Sequence, residues 1–357
     1  MVPRSIAACQ TATPDPFPPS AREPAWKQDL AEAYRHAHQL LSALGLSPEM
    51  IPDLDPVASG FRMLVPRDFA ALMTPGDPRD PLLRQVLPLG AERVSVAGFS
   101  RDPVGDMSAD SGQGLLRKYA GRALLIVTGG CAVHCRYCFR RHFPYETLAR
   151  TPDRTAAAVA SIAADRGISE VILSGGDPLM LDDDRLGALL ERLEAIPHLK
   201  RLRIHSRLPV VLPSRVTDAL CRRLASSRFA TVLVIHANHP SELGARAEAA
   251  LQRLRHANLT LLNQSVLLRE INDAVSTLAA LSERLFECGV LPYYLHQLDP
   301  VEGAAHFAVS DSQALRLGEA LLRRLPGYLV PRLVREVTGV GSKTPLTEVA
   351  RLGSPFL

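Results

Sequence analysis

The spacing of hydrophobic and polar positions becomes regular at about residue 122. From there, short apolar or β-branched runs alternate with longer segments that have a helical period. The runs typical of buried strands are RALLIVTG, EVILSGG, RLRIHSR, TVLVIHAN, LTLLNQSVL and LPYYLHQL. Amphipathic helical patterns lie between them, among them RTAAAVASIAADRG, DDDRLGALLERLEAI, ELGARAEAALQRLRHA and AVSTLAALSERLFECG. These six successive βα units predict a parallel sheet with helices outside it.

The number of units limits the fold. Six units are too few to close an ordinary eight-stranded barrel. The predicted fold is therefore α/β, an open partial (β/α)6 TIM-like barrel with an N-terminal helical region. A doubly wound sheet gives the same alternation of strands and helices, and the pattern alone does not separate the two.

The N-terminal part of the chain is Pro-rich and irregular. A helical period appears in AWKQDLAEAYRHAHQLLSAL, and MTPGDPRDPLLRQVLP is dense in turn residues. The polar stretch GDMSADSGQG is typical of a linker. We therefore predict an N-terminal helical or irregular region at 1–105, a linker at 106–116, a βα core at 117–338 and a C-terminal segment at 339–357.

Composition and charge narrow the environment and the partners. The chain has 357 residues and is 46% hydrophobic, which is enough for a buried core. Its 41 Lys and Arg against 37 Asp and Glu are too balanced and dispersed to indicate nucleic acid or a membrane surface. There is no signal-peptide pattern and no run near the roughly 20 apolar residues of a membrane span. We therefore expect a cytoplasmic protein, in which disulfides are disfavoured.

Three of the six cysteines, Cys131, Cys135 and Cys138, lie together directly after the first predicted strand. Structural zinc commonly takes two C-x2-C pairs, whereas this single C-x3-C-x2-C group has no second pair. Three thiolates on one loop suit a 4Fe-4S cluster with one iron open to another ligand. The spacing thus favours a cluster over zinc. The remaining cysteines are scattered and are interpreted as incidental thiols: Cys9, Cys221 and Cys288.

Other polar residues fall at the carboxyl ends of predicted strands, where βα loops converge. SGGDP follows the second strand and HSR the third; the later strand ends carry His236, Asn238, His239, Asn263, Gln264 and Asp299. A Gly-Gly pair is most often a tight turn, but beside a cluster it would let a ligand lie against the backbone. RKYAGR and FRRHF, which flank the first strand, are either surface charge or an anion site.

A Gly-rich turn near the C-terminus, GVGSKTP, contains Lys343. It fails the Walker phosphate-loop pattern because Val337 and Ser342 occupy positions that need glycine. A lysine in such a turn is most often merely solvated. The sharper interpretation is a lysine that forms a Schiff base, because flexible backbone gives access to its amine.

These motifs together resemble a known family. CAVHCRYC resembles the radical S-adenosylmethionine (SAM) signature, and with SGGDPL, RIHSRLPVVLP, LLNQSVLLREIND, PYYLHQLD and SKTP it resembles lysine 2,3-aminomutase. The resemblance runs from about Met73 to Pro345 and implies a barrel of the radical SAM type. CRYCFRRHFPY, GAAHF and GYLVPRL resemble the branch that makes β-lysine for the modification of elongation factor P.

The resemblance implies three cofactors and the residues that hold them. Cys131, Cys135 and Cys138 match the ligands of a 4Fe-4S cluster whose open iron is chelated by SAM. The positions around SAM are matched by Ser174, Gly175, Gly176, His236 and Gln264. The positions around pyridoxal phosphate are matched by Lys343, which forms the Schiff base, and by Lys118, Tyr119 and Arg122. Lys118 replaces a frequent arginine, which keeps the charge and loses the bidentate fork.

The resemblance also implies L-lysine as the substrate. Arg140 matches the arginine that binds the substrate carboxylate, and Asp299 matches an acidic residue that faces the distal ammonium. The second acidic position, usually aspartate, is Glu336, which keeps the charge and shifts its reach. A glutamate-type substrate would set its carboxylate against these two, which is unfavourable.

The implied reaction begins with reductive cleavage of SAM, and the resulting radical takes a hydrogen from the β-carbon of lysine before the amino group migrates. It implies an electron donor of flavodoxin or ferredoxin type and a functional link to a ligase that attaches lysine to elongation factor P. Only residues 344–357 follow Lys343. We therefore expect that the zinc-binding extension of the catabolic enzymes is absent and predict no zinc, with a homo-oligomer left open.

Three alternatives stay open at the level of sequence. A general or catabolic amino-acid 2,3-aminomutase would use the same chemistry in another setting. A zinc-binding interaction module would use the same cysteines without catalysis. A radical enzyme without pyridoxal phosphate would use the cysteines but not Lys343. Iron, sulfide and zinc content separates the interaction module from the enzymes. The absorbance of lysine-bound pyridoxal phosphate separates a radical enzyme without pyridoxal phosphate from an aminomutase.

Overall fold

A single curved sheet forms the framework of the protein. The computed structural model describes residues 24–57, 60–110, 113–149 and 154–351. Within these residues, nine strands make up the sheet. They are β1 (Leu115–Tyr119), β2 (Arg122–Thr128), β3 (Glu170–Gly175), β4 (Arg201–Ser206), β5 (Ala230–Ile235), β6 (Thr260–Val266), β7 (Leu291–His296), β8 (Arg332–Arg335) and β9 (Thr344–Pro345).

Fourteen α-helices accompany the sheet in the same part of the chain. Those before the sheet are α1 (Ala25–Ala31), α2 (Ala37–Ala43), α3 (Arg67–Ala70), α4 (Pro81–Arg84) and α5 (Asp106–Ala109). Those between and after the strands are α6 (Tyr145–Ala149), α7 (Arg154–Ala164), α8 (Asp183–Glu194), α9 (Leu208–Val211), α10 (Asp218–Ala225), α11 (Ala245–His256), α12 (Val275–Glu287), α13 (Asp311–Arg324) and α14 (Leu346–Arg351).

The order of strands in the sheet follows the order of the chain, from β1 at one edge to β9 at the other. Strands β2 to β8 are parallel, and β1 and β9 pair antiparallel with their neighbours. The six predicted strands are present as β2 to β7, and the two edges do not pair. The predicted open α/β barrel is therefore confirmed, whereas a doubly wound sheet would reverse its strand order.

The sheet has one parallel strand more than the hydrophobic pattern predicts. Strand β8 is four residues long, has the sequence RLVR and pairs with β7. Its two arginines interrupt the apolar run by which a buried strand is recognised. Sequence periodicity therefore misses it.

The curvature of the sheet follows from a contact between distant strands. Tyr119, at the end of β1, donates a hydrogen bond from its hydroxyl to Glu336, which directly follows β8. These two strands are seven positions apart in the sheet. In a flat sheet seven strand spacings amount to about 33 Å. The sheet must therefore curl, so that side chains on its inner face share one interior.

Alternation along the strands decides which side chains face that interior. In β4, Leu202, Ile204 and Ser206 are buried under the helices, while Arg203 and His205 are only partly buried. The outer face is covered by amphipathic helices such as α8, whose buried residues include Leu190 and Leu193. A period of two thus separates an apolar outer layer from a polar inner face.

The N-terminal region packs into the same core as the barrel. Trp26, Leu40 and Phe69 are buried in one cluster with residues of the strands. The stretch predicted to be helical forms two helices, α1 and α2, rather than one. Between them, the backbone of Tyr34 pairs with that of Val65 through N–O distances of 2.8 and 3.0 Å, which interrupts the helix.

The segment predicted to be a linker, 106–116, contains α5 and the first residues of β1, and 111–112 lie outside the described residues. The four-part division at 105, 116 and 338 stays a prediction. So do the interpretation of Cys9, which precedes the described residues, and that of Cys221 and Cys288, neither of which is in a disulfide. No helix in the described ranges is both long and apolar enough to cross a bilayer.

Candidate active site

The inner face of the curved sheet and the loops above it carry the residues predicted to be functional. The cysteine loop, residues 129–142, follows β2, and Ser174 and Gly175 end β3. His236 follows β5, Gln264 lies in β6 and Asp299 follows β7. The pyridoxal phosphate candidates lie at the two edges of the sheet: Lys118 and Tyr119 in β1, Arg122 at the start of β2, and Lys343 directly before β9.

The cysteine loop is fixed by two buried arginines that share one carboxylate. Arg136, which is 1% exposed, donates from Nε and Nη2 to Glu92 at 2.7 and 2.5 Å, and from Nη1 to the Phe61 carbonyl at 2.9 Å. Arg141 Nη2 donates to the same Glu92 at 2.6 Å. Charge-assisted bonds of this kind hold their partners in fixed geometry. The loop is therefore anchored to the N-terminal region.

Electrostatics within the loop favour a bound cation. Burial, together with the negative charge of neighbouring Cys135, raises the pKa of the Cys138 thiol to about 11. Burial raises the pKa of Cys131 too, together with the negative charges of Cys138, Asp177 and Cys135. Three mutually repelling thiolates are stabilised when positive iron is bound among them.

The arrangement of ligands bears on which metal fits. In the described part of the chain, no group of three or more His, Cys, Asp or Glu side chains is placed so that one ion could be held. Ligands of a 4Fe-4S cluster bind different irons and are spaced more widely than the ligands of a single ion. Three cysteines on one loop suit a 4Fe-4S cluster with one iron open to another ligand.

The glycine pair after β3 lies directly against the cysteine loop. The backbone N–H of Gly176 donates to the Thr128 carbonyl at 2.8 Å. A Cβ on Gly176 would lie 2.2 Å from the Gly130 carbonyl oxygen, and a Cβ on Gly175, whose φ is +131°, would lie 2.4 Å from the Thr128 carbonyl oxygen. Only glycine allows this approach of two backbones. The pair thus positions the cysteine loop against β3.

We expect Gly176→Ala to lower the free energy of unfolding by about 2 kcal/mol, because the new methyl group meets backbone that cannot move without shifting the cysteine loop. The variant should also retain less iron per chain after cluster reconstitution. Chemical denaturation of cluster-free protein and iron analysis measure the two effects. Gly130→Ala is the matched control, since its Cβ would meet its nearest atom at 3.6 Å. Equal stability of both variants would show that the close approach is unimportant.

Several buried polar atoms around Lys343 have no hydrogen-bond partner. Among the described residues they are His205 Nε2, Gln264 Oε1, His296 Nε2 and Asp299 Oδ1. The charge of Lys343 acts on the histidines at 205, 236 and 296 and on Asp299, so these groups face one interior. Buried polar atoms in folded proteins are almost always paired. Unpaired atoms that share one interior indicate a polar ligand.

The protonation states in this interior follow from burial. Burial lowers the pKa of His236 to about 3, with the charges of Arg207 and Lys343 contributing, and it lowers the pKa of His205 and of His296 well below the usual range. All three imidazoles are therefore neutral at pH 7. Gln264 Nε2 lies 2.9 Å from His236 Nε2, which can accept its hydrogen bond.

Asp299 is an acid in an unusual state. Its pKa is raised to about 7, chiefly by burial; the carboxylate of Glu336 adds to this increase and the charge of Lys343 opposes it. An isolated buried carboxylate is costly, so a proton or a cation is needed beside it. A positively charged group of a ligand can therefore bind next to Asp299.

Glu336 connects the lysine before β9 to β1. Its Oε2 accepts a hydrogen bond from Lys343 Nζ at 3.2 Å, and its Oε1 accepts one from the Tyr119 hydroxyl. Lys118 Nζ lies 4.0 Å from Oε1. The Arg122 guanidinium lies 4.6 Å above the centre of the Tyr119 ring, and its Nε is buried without a partner. The candidate pyridoxal phosphate residues are thus brought together.

A chain of charges joins this group to Arg140. The buried carboxylate of Asp106 accepts from Lys118 Nζ at 2.5 Å and from Arg140 Nε at 2.6 Å. Arg140 Nη1 donates to Ser174 Oγ at 2.9 Å. Burial alone would raise the pKa of Asp106, but Arg140 and Lys118 outweigh it and the pKa is lowered. Asp106 is therefore ionised and holds two cations in place.

Sequence reasoning missed Asp106 and His296 as site residues, and it placed His205, in the HSR motif, at a strand end without giving it a role. Asp106 lies in a polar stretch whose composition is typical of a linker, and nothing local marks it. Both histidines were detectable, because each lies two positions after a partly buried residue of its strand, Arg203 in β4 and Tyr294 in β7. A period of two that ends in histidine marks a polar residue on the inner face.

The chain is similar in sequence to one family of known proteins. Residues 125–278 match the radical SAM superfamily. The chain is 49% identical over 327 residues to the L-lysine 2,3-aminomutase of Escherichia coli strain K12, covering 90% of this chain and 94% of that protein. It is 46% identical to that of Haemophilus influenzae Rd (90% and 96% covered) and 33% identical to that of Clostridium subterminale (90% and 77%). A structure of a radical SAM methyltransferase from Sphaerobacter thermophilus gives a TM-score of 0.43 at 18% identity, over 62% of this chain and 68% of that one.

Proposed function

Because this chain belongs to the L-lysine 2,3-aminomutase family within the radical SAM superfamily, we propose that it converts L-lysine to β-lysine for the modification of elongation factor P. The observation that carries the proposal is the polar interior around Lys343. Unpaired buried atoms, a buried arginine and two acids share it. Those are the groups needed to orient an amino acid with a distal ammonium.

The chain's residues fit three cofactors. Cys131, Cys135 and Cys138 would hold the 4Fe-4S cluster. SAM would lie against the following residues: Ser174, Gly175, Gly176, His236 and Gln264, whose Oε1 is an unpaired acceptor. Lys343 would hold pyridoxal phosphate with Lys118, Tyr119 and Arg122 on its phosphate side, where Arg122 Nε is an unpaired donor. When bound, these groups supply the radical and the conjugated ring that stabilises it.

Charge selects the substrate. Arg140, anchored by Asp106 and Ser174, orients the α-carboxylate of lysine. Asp299 faces the distal ammonium, whose charge lowers the aspartate pKa from about 7 and makes the carboxylate form favourable. Glu336 adds a second negative charge beside it. The neutral histidines line the interior and add no charge that would compete for the carboxylate or the ammonium of the substrate. Exclusion of water from the interior strengthens each ion pair.

Glu336 also acts on the lysine that binds pyridoxal phosphate. Lys343 Nζ would have to be unprotonated to act as the nucleophile that holds pyridoxal phosphate. Glu336 Oε2, 3.2 Å away, is placed to take its proton. Tyr119 holds Glu336 in position through its hydroxyl. The Glu336 carboxylate thus has two roles. It accepts a proton from Lys343, and it adds negative charge next to the distal ammonium of the substrate.

The finer parts of the proposal rest on the sequence motifs. CRYCFRRHFPY, GAAHF and GYLVPRL support the elongation factor P branch over a general or catabolic aminomutase. That role requires a cytoplasmic electron donor of flavodoxin or ferredoxin type and a ligase that transfers β-lysine to elongation factor P. The absence of a zinc requirement stays a prediction, which metal analysis tests. The oligomeric state stays open, and light scattering measures it.

The deciding experiment is an anaerobic assay of reconstituted protein with SAM, pyridoxal phosphate, dithionite and L-lysine. We expect β-lysine in mass-resolved chromatography and no amino-group migration on L-glutamate, whose side-chain carboxylate would meet Asp299 and Glu336. Product from glutamate at a comparable rate would refute the substrate assignment. Transfer of the product to elongation factor P by a lysyl ligase then tests the biological role separately.

Metal content tests the alternative from another class. Anaerobically purified enzyme should contain close to four iron and four sulfide per chain. Zinc in place of iron and sulfide would favour an interaction module built on the same cysteines. Iron and sulfide with no bound pyridoxal phosphate would favour a radical enzyme that does not use Lys343.

A further inference from the structure

Beneath the cysteine loop lies a buried polar group that the reaction described above does not use. Its members come from four separate parts of the chain, and each is at most 9% exposed. We call it the Arg207 network, and it consists of Gln85, Tyr137, Arg207, Asn238 and Glu242. Polar side chains are rarely buried in such numbers without a role in specificity or function.

Arg207 is held from three sides. Its Nη2 donates to Gln85 Oε1 at 2.8 Å and to Glu242 Oε2 at 2.9 Å. The guanidinium also lies 5.3 Å from the ring centre of Phe69 and 5.7 Å from that of Tyr137. The side chain therefore has one orientation available, and its remaining terminal nitrogen is aimed by its surroundings.

That nitrogen points at the cysteine loop. Arg207 Nη1 donates to Cys135 Sγ at 2.7 Å. Two arginines of the cysteine loop itself, Arg136 and Arg141, donate to Glu92 and not to a cysteine sulfur. A buried, positively charged donor thus lies against the sulfur of a residue that we propose as a cluster ligand.

Glu242 balances the charge of Arg207. It is fully buried and accepts hydrogen bonds from Gln85 Nε2 at 3.0 Å and from the backbone N–H groups of Asn238 and His239 at 2.9 and 3.0 Å. These bonds fix the position of the Glu242 carboxylate beside Arg207. The pair is therefore polarised, with its positive end toward the sulfur and its negative end away from it.

We propose that Arg207 is a positioning residue that sets the reduction potential of the 4Fe-4S cluster through its hydrogen bond to Cys135 Sγ. The inference rests on the proposed function, because it requires the three cysteines to hold the cluster. Reduction adds one electron from a one-electron donor of flavodoxin or ferredoxin type, and no bond breaks and no proton moves. The added negative charge is shared by the thiolate sulfurs, so a cationic donor at Sγ stabilises the reduced form more than the oxidised form.

The two ends of the pair have opposite predicted effects. Removing the positive end makes reduction harder, and removing the negative end makes it easier, because Arg207 is then less compensated. If Arg207 had a purely structural role, both variants would shift the reduction potential in the same direction or would only contain less cluster. The opposite signs therefore identify an electrostatic role.

The experiment measures the potential of reconstituted, SAM-free protein by electron paramagnetic resonance at a series of fixed solution potentials. At one fixed potential, Arg207→Gln should lower the ratio of reduced to oxidised cluster about tenfold, equivalent to about 59 mV for one electron. Arg207→Lys, which keeps the charge but cannot serve all three partners, should show a smaller decrease. Glu242→Gln should raise the ratio. Arg215→Gln, a control at another fully buried arginine that donates to carbonyls, should match the wild-type protein.

Several results would overturn the inference. One is an unchanged potential in Arg207→Gln that carries a full complement of iron. Another is a shift of the same sign in Arg207→Gln and Glu242→Gln. Loss of the cluster in both Arg207 variants with an unchanged melting temperature would make Arg207 an assembly residue instead. Failure of the proposed function looks different, because then the wild-type protein itself takes up no iron and sulfide.

Discussion

Lys343→Ala should lower the rate of β-lysine formation by at least about 1,000-fold while the chain still folds and still assembles its cluster. Lys343 Nζ is an amine on the inner face, 3.2 Å from a carboxylate that can take its proton. Without that amine, pyridoxal phosphate has no covalent attachment to the protein, and the substrate loses the group that orients its α-amine. Anaerobic turnover with L-lysine measures the loss.

Two further observations make this prediction specific. Borohydride reduction of the wild-type enzyme, followed by peptide mass spectrometry, should place the pyridoxyl group on Lys343, and the variant should carry none. Lys200→Ala is the matched control, since Lys200 is exposed at the opposite, amino-terminal end of the strands. Iron content should be equal in all three proteins. Attachment at another lysine with activity retained would refute the assignment of Lys343.

The sequence predicted the framework well because its signals are local and periodic. Each of β2 to β7 is an apolar run between helical patterns, so alternation alone indicated a parallel sheet. Placement of functional residues at strand ends followed from the same alternation, which put the cysteine loop after β2 and Asp299 after β7. The individual assignments of site residues stay predictions until they are tested by substitution.

The contacts that assemble the site join residues that are far apart in the sequence. The hydrophobic pattern contains little information about such contacts. Arg207 and Cys135 are 72 positions apart, and Tyr119 and Glu336 are 217 apart. Their proximity depends on how far the sheet curls and on how loops from different strands pack. Asp106 shows the same limit, since its partners Lys118 and Arg140 are recognisable in sequence but the acid between them is not.

Glu336 illustrates how geometry changes the meaning of a prediction. The sequence indicated a carboxylate for the substrate ammonium, one methylene longer than the usual aspartate. In the structure that carboxylate contacts Lys343 and Tyr119. The extra methylene of Glu336 therefore affects its contact with the amine of Lys343 as well as its contact with the substrate. Both interactions depend on the same rotamer of Glu336.

Asp106→Asn should lower the free energy of unfolding by about 3 kcal/mol and reduce kcat/KM on the order of 100-fold. Asp106 is 3% exposed and balances both Lys118 and Arg140. Asparagine keeps the shape but leaves two cations close together without a counter-charge. Arg140 then loses the partner that orients it, so the carboxylate of lysine is bound less well and the substrate is displaced from the reacting groups.

The pH dependence of this effect has a definite sign. The folded-state pKa of Asp106 is lowered, so its ion pairs contribute their full stability above the ordinary aspartate pKa, and the contribution is lost as the pH falls through the lowered value. The difference in unfolding free energy between the wild-type protein and Asp106→Asn should therefore be constant near neutral pH and shrink in acid. Urea denaturation at a series of pH values measures it.

A control four residues away distinguishes charge balance from helix capping. Asp102 accepts hydrogen bonds from the backbone N–H groups of Asp106 and Met107 at 2.8 and 3.0 Å, so it holds the first turn of α5 and not the side chain of Arg140. Asp102→Asn loses one of these two acceptor oxygens, so it should cost about 1 kcal/mol of stability and leave kcat/KM nearly unchanged. If both variants lose activity equally, the folding of α5 rather than the charge of Asp106 controls Arg140. If Asp106→Asn alone loses activity, the ion-pair chain from Lys118 to Arg140 is what holds the substrate carboxylate in place.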